Sequence, residues 1–279
     1  MLTPSARSGR NTVTTTSSSR ITSRHNPIVA RYRAVAKGDI DGLVLLDGAH
    51  LVSDAIAAGI TIEHAAADVN ATEHAEIARL MTSLHAGRID VVTATAPVMA
   101  ALSPVRSSSA IVAIARRPLR TADEMYKTSP ALVVVATDVQ DPGNLGAIVR
   151  VAEAGGASGL VAVGVSADPF GWKALRGSMG SALRLPLHRV VDINTAVDDA
   201  RRHGCQVIAT VPRDGRSLFA VDLRRPTALL IGGEGPGLPD EIIEAADERI
   251  TIPMQTPVES LNAAVTAVLV VYEARRQRS

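Results

Sequence analysis

The sequence predicts an α/β protein, with a carboxyl-terminal domain built on a parallel sheet and a smaller amino-terminal α/β domain ahead of it. Strand-length apolar runs alternate with helix-length amphipathic segments along most of the chain, which is typical of βα units. Many of these runs are apolar at every position, as expected for parallel strands that helices cover on both faces. The length of 279 residues accommodates two domains of ordinary size.

The amino-terminal domain is expected over residues 25–118, because order should begin near Asn26 and Pro27. Apolar spacing and terminal glycines predict its helices at 27–39, 49–59, 72–87 and 97–103. Short apolar runs predict its strands at 42–48, 60–66, 89–95 and 109–116. A charged stretch bounded by prolines follows, and we expect it to be a linker over 119–130.

The carboxyl-terminal domain is expected over residues 131–279 and repeats the alternation. Its strands are predicted at 131–139, 159–164, 185–191, 205–211, 227–235 and 248–254. Its helices are predicted at 143–156 (after a short loop), 171–183, 194–204, 239–246 and 260–277. Ligands of such sheets bind at the carboxyl ends of the strands, which is where the loops rich in Gly, Asn and Glu fall.

Residues 1–24 are expected to form a disordered basic arm, because they contain six Ser, six Thr and four Arg and few large apolar residues. Residues 1–37 carry seven Lys or Arg and no acid, so the rest of the chain must sum to −6 to give the net charge of +1. A basic arm on a mildly acidic body favours a polyanionic partner. A solvated tail and an organelle transit peptide are the alternatives.

Composition excludes several classes of protein. Aromatic residues make up only 2% of the chain, which argues against RNA readers that stack bases on aromatic platforms. Cys205 is the single cysteine, so one chain cannot form a disulfide or a cysteine-based zinc site. No apolar run reaches the length of a membrane span, and the seven His lack ligand spacing. We therefore expect a cytoplasmic protein with no membrane partner and no metal.

Two candidate groups lie in the segment DPGNLGAIVR at 141–150, directly after the first strand of the second domain. Asn144 is placed to cap the following helix, and Arg150 lies about one and a half turns further along it. An arginine near the carboxyl end of a strand can hold a phosphate through two parallel hydrogen bonds. Taken alone, the segment fits a helix cap and a solvated arginine better.

The loop IGGEGPGL at 231–238 surrounds one carboxylate, that of Glu234, with glycines that let a ligand approach the backbone. It matches neither a Walker loop nor the dinucleotide fingerprint, because its glycine spacing differs and no Lys-Ser or Lys-Thr pair follows. The segment ITIPMQTPVESLN at 250–262 places Ser260 and Asn262 at the start of the last helix. A tight turn and simple helix capping are the alternatives for these two segments.

A fourth segment, WKALRGSMGSALRLP at 172–186, combines positive charge with small residues suited to close approach. Lys173, Arg176 and Arg184 supply the charge. The alternative interpretation is an amphipathic helix with a basic outer face.

Together, the order and spacing of these segments resemble the SpoU/TrmH family of RNA ribose 2′-O-methyltransferases. The resemblance rests on N-x-G-x-x-x-R, K-A-x-R-G-S-x-G-S, G-G-E-G-x-G-L and I-P-M followed by E-S-L-N, and it covers most of 132–277. The amino-terminal stretch from Ser23 to Gly59 resembles the family's small RNA-binding domain, so about nine tenths of the chain is covered. The last two motifs are the most specific.

The resemblance implies a deep trefoil knot in the carboxyl-terminal domain, S-adenosylmethionine bound within it in a bent form, and a homodimer formed through that domain. The cofactor contacts of the family fall on Gly232, Ile252 and Leu261, largely through backbone groups. The neighbouring loop positions Gly233, Gly237 and Met254 are included in the predicted cofactor site.

The resemblance also implies the chemistry, which is transfer of a methyl group from a sulfonium to a ribose 2′-hydroxyl of RNA. Arg150 is the candidate catalytic residue, with Asn144 orienting it and the ribose. Because an arginine side chain keeps its proton at neutral pH, bonding to the nascent alkoxide or to the adjacent phosphate is easier than proton abstraction. Glu234, Ser260 and Asn262 are expected to position the proton or accept it.

The substrate implied by the resemblance is structured RNA, with 23S ribosomal RNA favoured over transfer RNA by the amino-terminal domain. A non-catalytic RNA-binding protein on the same fold and a base-modifying methyltransferase are alternatives, and a nicotinamide-dependent dehydrogenase is disfavoured.

Two departures from the family pattern stand out. Asp47 replaces a common Glu in LLDGAH, which is expected to shift RNA contacts, and Ala263-Ala264 follows SLN.

Overall fold

The computed structural model describes residues 19–235 and 237–279, and these form two β-sheets with helices packed against them. The first sheet has the strand order β1-β4-β3-β5-β2. Its strands are β1 (Arg20–Ile21), β2 (Leu43–Asp47), β3 (Ile62–Asp68), β4 (Asp90–Ala94) and β5 (Ile111–Arg116). β5 runs antiparallel to β2 and β3, and the pairs of β4 with β1 and β3 are parallel.

Two helices cover each face of the first sheet. They are α1 (Pro27–Lys37), α2 (Ala49–Ala57), α3 (Ala75–Ala86) and α4 (Ala96–Leu102). The buried residues of α1 and α4 share one core with β1, whereas those of α2 and α3 belong to the core on the opposite face. The amino-terminal half is therefore a mixed α/β layer structure with a mostly aliphatic interior.

The second sheet is parallel in every described pair, and this confirms the predicted architecture of the carboxyl-terminal half. Its order is β10-β12-β9-β11-β6-β7-β8. The strands are β6 (Leu132–Thr137), β7 (Gly159–Val163), β8 (Leu187–Val190), β9 (Gln206–Thr210), β10 (Arg216–Ser217), β11 (Thr227–Gly232) and β12 (Glu248–Thr251). The knot that the resemblance implies stays a prediction.

Five helices cover the two faces of this sheet, and alternate residues of β6 pack against the helices on opposite faces. They are α5 (Pro142–Gly155), α6 (Trp172–Ser178), α7 (Ile193–Arg202), α8 (Asp240–Ala245) and α9 (Ala263–Arg278). Val133 and Val135 belong to the core with α7 and α8, whereas Leu132 and Val134 belong to the core with α5 and α9. Because both faces are buried, β6 is apolar at nearly every position.

The strand order determines which loops meet at the carboxyl edge. β12, β9 and β11 are consecutive neighbours in the sheet, although they lie far apart in the sequence. The loops that follow them therefore converge at one place on the edge. The chain segment after β6, which opens α5, lies beside the loop after β11 for the same reason.

One predicted boundary, that of the arm, is wrong, and the linker over 119–130 stays a prediction. The arm was expected to extend to residue 24, but Arg20 and Ile21 already pair with β4, and the Ile21 side chain is buried. The rest of the arm, 1–18, lies outside the described residues. The predicted linker contains a short 3₁₀ helix, Ala122–Tyr126, whose Met125 is 1% exposed and packs against the second sheet.

The predicted helix over 171–183 is interrupted. α6 ends at Ser178, Met179 and Gly180 adopt left-handed backbone conformations, and a 3₁₀ turn follows over Ser181–Leu183. A Cβ atom on Gly180 would lie 2.0 Å from a carboxylate oxygen of Asp54 on α2. The interruption thus brings the second domain against the first.

The junction between the two halves is built on α6, which packs between α5 and the edge strand β2. Arg184 lies between two acidic residues, with N–O distances of 3.1 Å to Asp54 and 2.7 Å to Glu153. The guanidinium lowers the pKa of the Glu153 carboxyl against the opposing effect of burial. Arg184 therefore joins the two domains and does not extend a free basic face, contrary to the sequence interpretation.

Membrane insertion has no support in the helices described, since none of them combines the length and the apolar character that a bilayer span requires.

Candidate functional site

A cavity of about 500 Å³ opens at the carboxyl ends of β9, β11 and β12. Three chain segments form its walls: the end of β9, the loop from β11 to α8, and the segment between β12 and α9. All six residues predicted to contact the cofactor line it: Gly232, Gly233, Gly237, Ile252, Met254 and Leu261. The volume falls within the roughly 300–1,000 Å³ of pockets that enclose small organic ligands.

Three of the five predicted catalytic residues also line the cavity. Glu234, Ser260 and Asn262 lie on its rim with exposed side chains. Asn144 and Arg150 are not among the lining residues. The structure therefore brings together nine of the eleven predicted positions, and the roles of all eleven stay predictions.

A polar network connects the three segments that the sequence singled out. The side-chain amide of Asn144 donates a hydrogen bond to the carboxylate of Glu234. The amide of Asn262 donates in turn to the Asn144 Oδ1, at 3.2 Å. The Asn262 Oδ1 accepts from the backbone N–H of Ala264 at 2.9 Å and so caps α9. Asn144 thus links the rim loop after β11 to the start of the last helix.

The predicted capping role of Asn144 is wrong. The cap of α5 is Asp141, whose Oδ1 accepts a hydrogen bond from the Asn144 N–H at 2.8 Å. Asn144 therefore lies in the first turn of the helix. Because Asp141 satisfies the free backbone donor, the Asn144 side chain can point to Glu234 instead.

Arg150 lies two thirds of the way along α5, on its exposed side. It makes no hydrogen bond or ion pair with any residue in the described part of the chain. A free guanidinium of this kind can bind an anion at no cost in existing contacts. Within one chain, however, it lies outside the cavity that it is predicted to serve.

Close backbone approach explains the glycine at position 233. A Cβ atom there would lie 2.1 Å from the carbonyl oxygen of Asp138, in the segment after β6. Any side chain would push these two loops apart, and with them Glu234 and Asn144. Asp138 itself has a φ of 55°, and its carboxylate accepts a hydrogen bond from the Val165 N–H.

Sequence reasoning missed one wall of the cavity, which is formed by Thr210, Val211 and Pro212 at the end of β9. The available signal was their position at the carboxyl end of a parallel strand. Every predicted parallel strand has such an end, so this signal alone does not point to β9. It becomes specific only when β9 is known to lie next to β11 and β12 in the sheet. Also missed were Leu238, Asp240, Ile243 and Thr266.

The cavity combines aliphatic walls with a polar rim that carries negative charge. Isoleucines from β11, β12 and α8 form the walls, which suits a flat ring system. Glu234 and Asp240 are the charged side chains among the described lining residues, and no cation lies with them. Such a cavity favours an organic ligand that has an apolar ring and carries positive charge.

Comparison with known proteins points to RNA methyltransferases. The sequence model of the SpoU rRNA Methylase family matches residues 131–272, the part of the chain that forms the second sheet and the cavity. An uncharacterized tRNA/rRNA methyltransferase of Synechocystis is 33% identical over 264 residues, which is 92% of this chain and 94% of the relative.

Two further relatives extend the match into the first domain. The 23S rRNA (guanosine(2553)-2'-O)-methyltransferase RlmP of Bacillus subtilis is 29% identical, with 83% of this chain and 88% of the relative covered. The SpoU methyltransferase AviRb of Streptomyces viridochromogenes, solved in complex with AdoMet, is 29% identical with a TM-score of 0.82. That superposition covers 91% of this chain and 98% of AviRb.

Proposed function

The chain belongs to the SpoU rRNA methylase family, and we propose that it transfers a methyl group from S-adenosylmethionine to a ribose 2′-hydroxyl of RNA. The observation that carries this proposal is the cavity at the ends of β9, β11 and β12, in which the two most specific motifs, G-G-E-G-x-G-L and I-P-M with E-S-L-N, converge. The Bacillus subtilis relative is named a 23S rRNA 2′-O-methyltransferase, and the structure of AviRb contains AdoMet.

The cavity fits S-adenosylmethionine in size and in charge. Its aliphatic walls suit adenine, and the backbone of Gly232, Ile252 and Leu261 offers the N–H and C=O groups that the ring nitrogens need. When bound, the cofactor supplies an electrophilic methyl group on a positively charged sulfur. The carboxylates of Glu234 and Asp240 favour that charge.

The rim network has a positioning role in this proposal. Asn144 holds the Glu234 carboxylate toward the cavity, and Asn262 holds Asn144. A fixed carboxylate at the rim can accept a hydrogen bond from the incoming 2′-hydroxyl and draw its proton away. Ser260 lies on the same rim and offers a hydroxyl to the ribose. Fixed geometry of this kind contributes through orientation.

The enzyme acts as a homodimer in this proposal. α9 exposes four apolar side chains at helical spacing, each between 38% and 47% exposed: Val265, Val268, Leu269 and Tyr272. A stripe of this kind on one helix face is typical of a buried interface. α5 packs beside α9, so pairing along this stripe brings Arg150 of one subunit toward the other subunit. Arg150 then serves the partner's cavity, which accounts for its distance from its own.

The proposed substrate is 23S ribosomal RNA, and the proposed location is the cytoplasm, where ribosomes are made. The named 23S rRNA relative matches over 83% of this chain, so the match includes part of the first domain. The unpaired Arg150 is free to hold a substrate phosphate next to the reacting ribose.

The direct test is to incubate the purified protein with methyl-labelled S-adenosylmethionine and total RNA, and to map the product by mass spectrometry. We expect one 2′-O-methylated nucleotide in 23S rRNA. A Leu261→Arg variant, which fills the cavity with a charged side chain, is the matched negative control. Label on a base, or no label with wild-type protein, contradicts the proposal.

A further inference from the structure

A second and smaller cavity, of about 230 Å³, lies at the junction of the two domains. It is formed by the carboxyl-terminal half of α1, the end of α4 with the residues that follow it, and the first residue of α6. The first domain thus contributes the floor and one wall, and the second domain contributes Trp172. Neither domain forms this cavity alone.

The chemistry of this junction cavity is unlike that of the cofactor cavity. Its charged lining residues are Arg33 and Lys37, and no carboxylate lines the described part. The Arg33 Nε donates to the Ala101 carbonyl at 3.1 Å, which holds the side chain in place and leaves its other N–H groups unbonded. Lys37 has no hydrogen bond or ion pair among the described residues.

Trp172 gives the cavity an aromatic wall. Its indole is half-buried against the core of the first domain, and the Lys173 ammonium lies 5.5 Å from its ring centroid. A half-buried indole with cations nearby can serve as a stacking surface for an electron-rich ring that bears negative charge nearby. The low aromatic content excludes an extended stacking platform, but it does not exclude a single stacking position.

The aromatic wall of the junction cavity and the cofactor cavity both follow carboxyl ends of strands in the second sheet. Trp172 opens α6, the helix that follows β7, so it lies beyond the carboxyl end of that strand. β7 is two neighbours away from β11 in the sheet. With strands about 4.8 Å apart, the two strand ends are separated by roughly 10 Å. An RNA segment whose ribose reaches the cofactor cavity can therefore extend one of its nearby nucleotides into the junction.

We propose that the junction cavity binds one unpaired base of the RNA substrate, stacked on Trp172, with an adjacent phosphate on Arg33 and Lys37. This inference rests on the proposed function and adds a substrate-recognition site to it. The volume is below the roughly 300–1,000 Å³ of pockets that enclose whole small ligands, so one ring fits and a whole nucleoside cofactor does not. An acidic peptide satisfies the two cations but leaves the indole without a stacked ring.

Intrinsic fluorescence tests the site directly, because Trp172 is the only tryptophan in the chain. The full-length protein is titrated with short oligoadenylate, with the same strand in a duplex, and with polyglutamate of equal charge. We expect saturable quenching by the single strand and little by the other two. Quenching by polyglutamate alone indicates a peptide site and overturns the proposal, as does the absence of quenching by the single strand.

Paired variants test the role in catalysis. Arg33→Ala with Lys37→Ala removes the two cations, and Arg79→Ala with Arg88→Ala is the matched control. The control cations are exposed in and just after α3, which covers the opposite face of the same sheet. We expect the first pair to raise KM for RNA about tenfold and to lower the salt slope of RNA binding by about 0.7, since the two cations hold one phosphate and one single-strand phosphate contact contributes roughly that much. The turnover number and the cofactor affinity should not change.

Equal KM values for the two pairs overturn the site while leaving the methyltransferase assignment intact. If the wild-type protein transfers no methyl group, the proposed function fails, and the fluorescence titration still decides what the cavity binds. Trp172→Phe should retain most of the RNA affinity, whereas Trp172→Leu should lose it. Matching melting midpoints of these two variants show that the junction remains folded.

Discussion

Two acidic residues at the ends of apolar strands have opposite surroundings in this protein. Asp47 ends β2 in the first domain, is 5% exposed, and accepts hydrogen bonds from the hydroxyls of Ser103, at 2.7 Å, and Ser109. Glu234 follows β11 in the second domain, is exposed, and accepts a hydrogen bond from the amide of Asn144 in the first turn of α5. The two strand ends are similar in sequence, since each is an apolar run followed by an acid and a glycine, with two further glycines before the acid at β11.

The two carboxylates differ in the groups that surround them. At β2 the bonded serines come from the first domain itself, and they tie down the loop between α4 and β5. At β11 the neighbours are backbone-rich loops that leave a cavity open beside the acid. An acid at a strand end is therefore a structural group where side chains close over it, and a candidate catalytic group where glycines keep the space free. The expectation that Asp47 shifts RNA contacts has no support in this buried position.

The largest effect is expected at Arg150, which lies outside the open cavity. Arg150→Ala should reduce methyl transfer on the order of 10²–10³-fold, because a charged donor to the developing alkoxide or the phosphate is lost. The affinity for S-adenosylmethionine, measured by calorimetry, should not change, since Arg150 does not line the cavity. Unchanged turnover removes Arg150 from the mechanism.

For the proposed homodimer, a mixing experiment tests whether Arg150 acts on the cavity of its own subunit or on that of the partner. Arg150→Ala and Leu261→Arg are each expected to be inactive, and their heterodimer retains one intact cavity and one intact arginine on different chains. If Arg150 acts on the partner's cavity, statistical mixing should restore about a quarter of wild-type activity, since half of the dimers carry one complete site. If it acts within its own chain, the mixture should stay inactive.

The second prediction compares the two carboxylates directly. Glu234→Gln keeps an acceptor for Asn144 but removes the charge, and should lower turnover about 100-fold with an unchanged melting midpoint. Asp47→Ala leaves two serine hydroxyls without their acceptor in a buried position and should lower the free energy of unfolding by about 2 kcal/mol. Its turnover per folded molecule should remain normal. Kinetics and urea titration of both variants test the comparison, and a reversal of the two effects contradicts it.

The same contrast shows how far sequence reasoning reaches. Apolar runs predicted the strands from β6 to β9 and the glycine-rich end of β11, because burial on both faces leaves a direct mark on composition. β1 and β10, at two residues each, are too short to leave such a mark. The wall formed by Thr210, Val211 and Pro212 depends on strand order, which local patterns do not contain. The interruption at Met179 and Gly180 lies against Asp54 of the other domain, a contact that local patterns do not contain.

A third prediction concerns the stability of the first domain, which contains a buried histidine. His64 is 4% exposed, its Nδ1 lies 2.8 Å from the Tyr32 hydroxyl, and its Nε2 lies 3.8 Å from the exposed carboxylate of Asp90. Burial lowers the pKa of His64 below its ordinary value near 6.5 and outweighs the attraction of Asp90, while Arg31 opposes protonation as well.

The direction of the pH effect follows from this lowered pKa. Below about pH 6.5 the unfolded chain binds a proton that the folded chain resists, so the free energy of unfolding should fall between pH 7 and pH 5. His64→Gln should flatten that dependence even if it lowers stability at pH 7. His85→Gln, an exposed histidine on α3, is the control and should retain the wild-type slope. Urea titrations at both pH values provide the measurement, and identical slopes in all three proteins contradict the assignment.

The smallest effect is expected at the amino terminus. Two deletions there distinguish the contribution of the arm's charge to RNA binding from the contribution of β1 to stability. Deleting residues 1–18 removes Arg7 and Arg10 but leaves β1 intact, whereas deleting 1–24 also removes the buried Ile21. The shorter deletion should leave the melting midpoint unchanged and lower the salt slope of RNA binding by about two, so that affinity falls mainly at low salt. The longer deletion should also lower the melting midpoint, since burying an Ile contributes roughly 1.5–3 kcal/mol. Equal RNA affinity of wild type and the shorter deletion at every salt concentration rules out a role for the arm in binding.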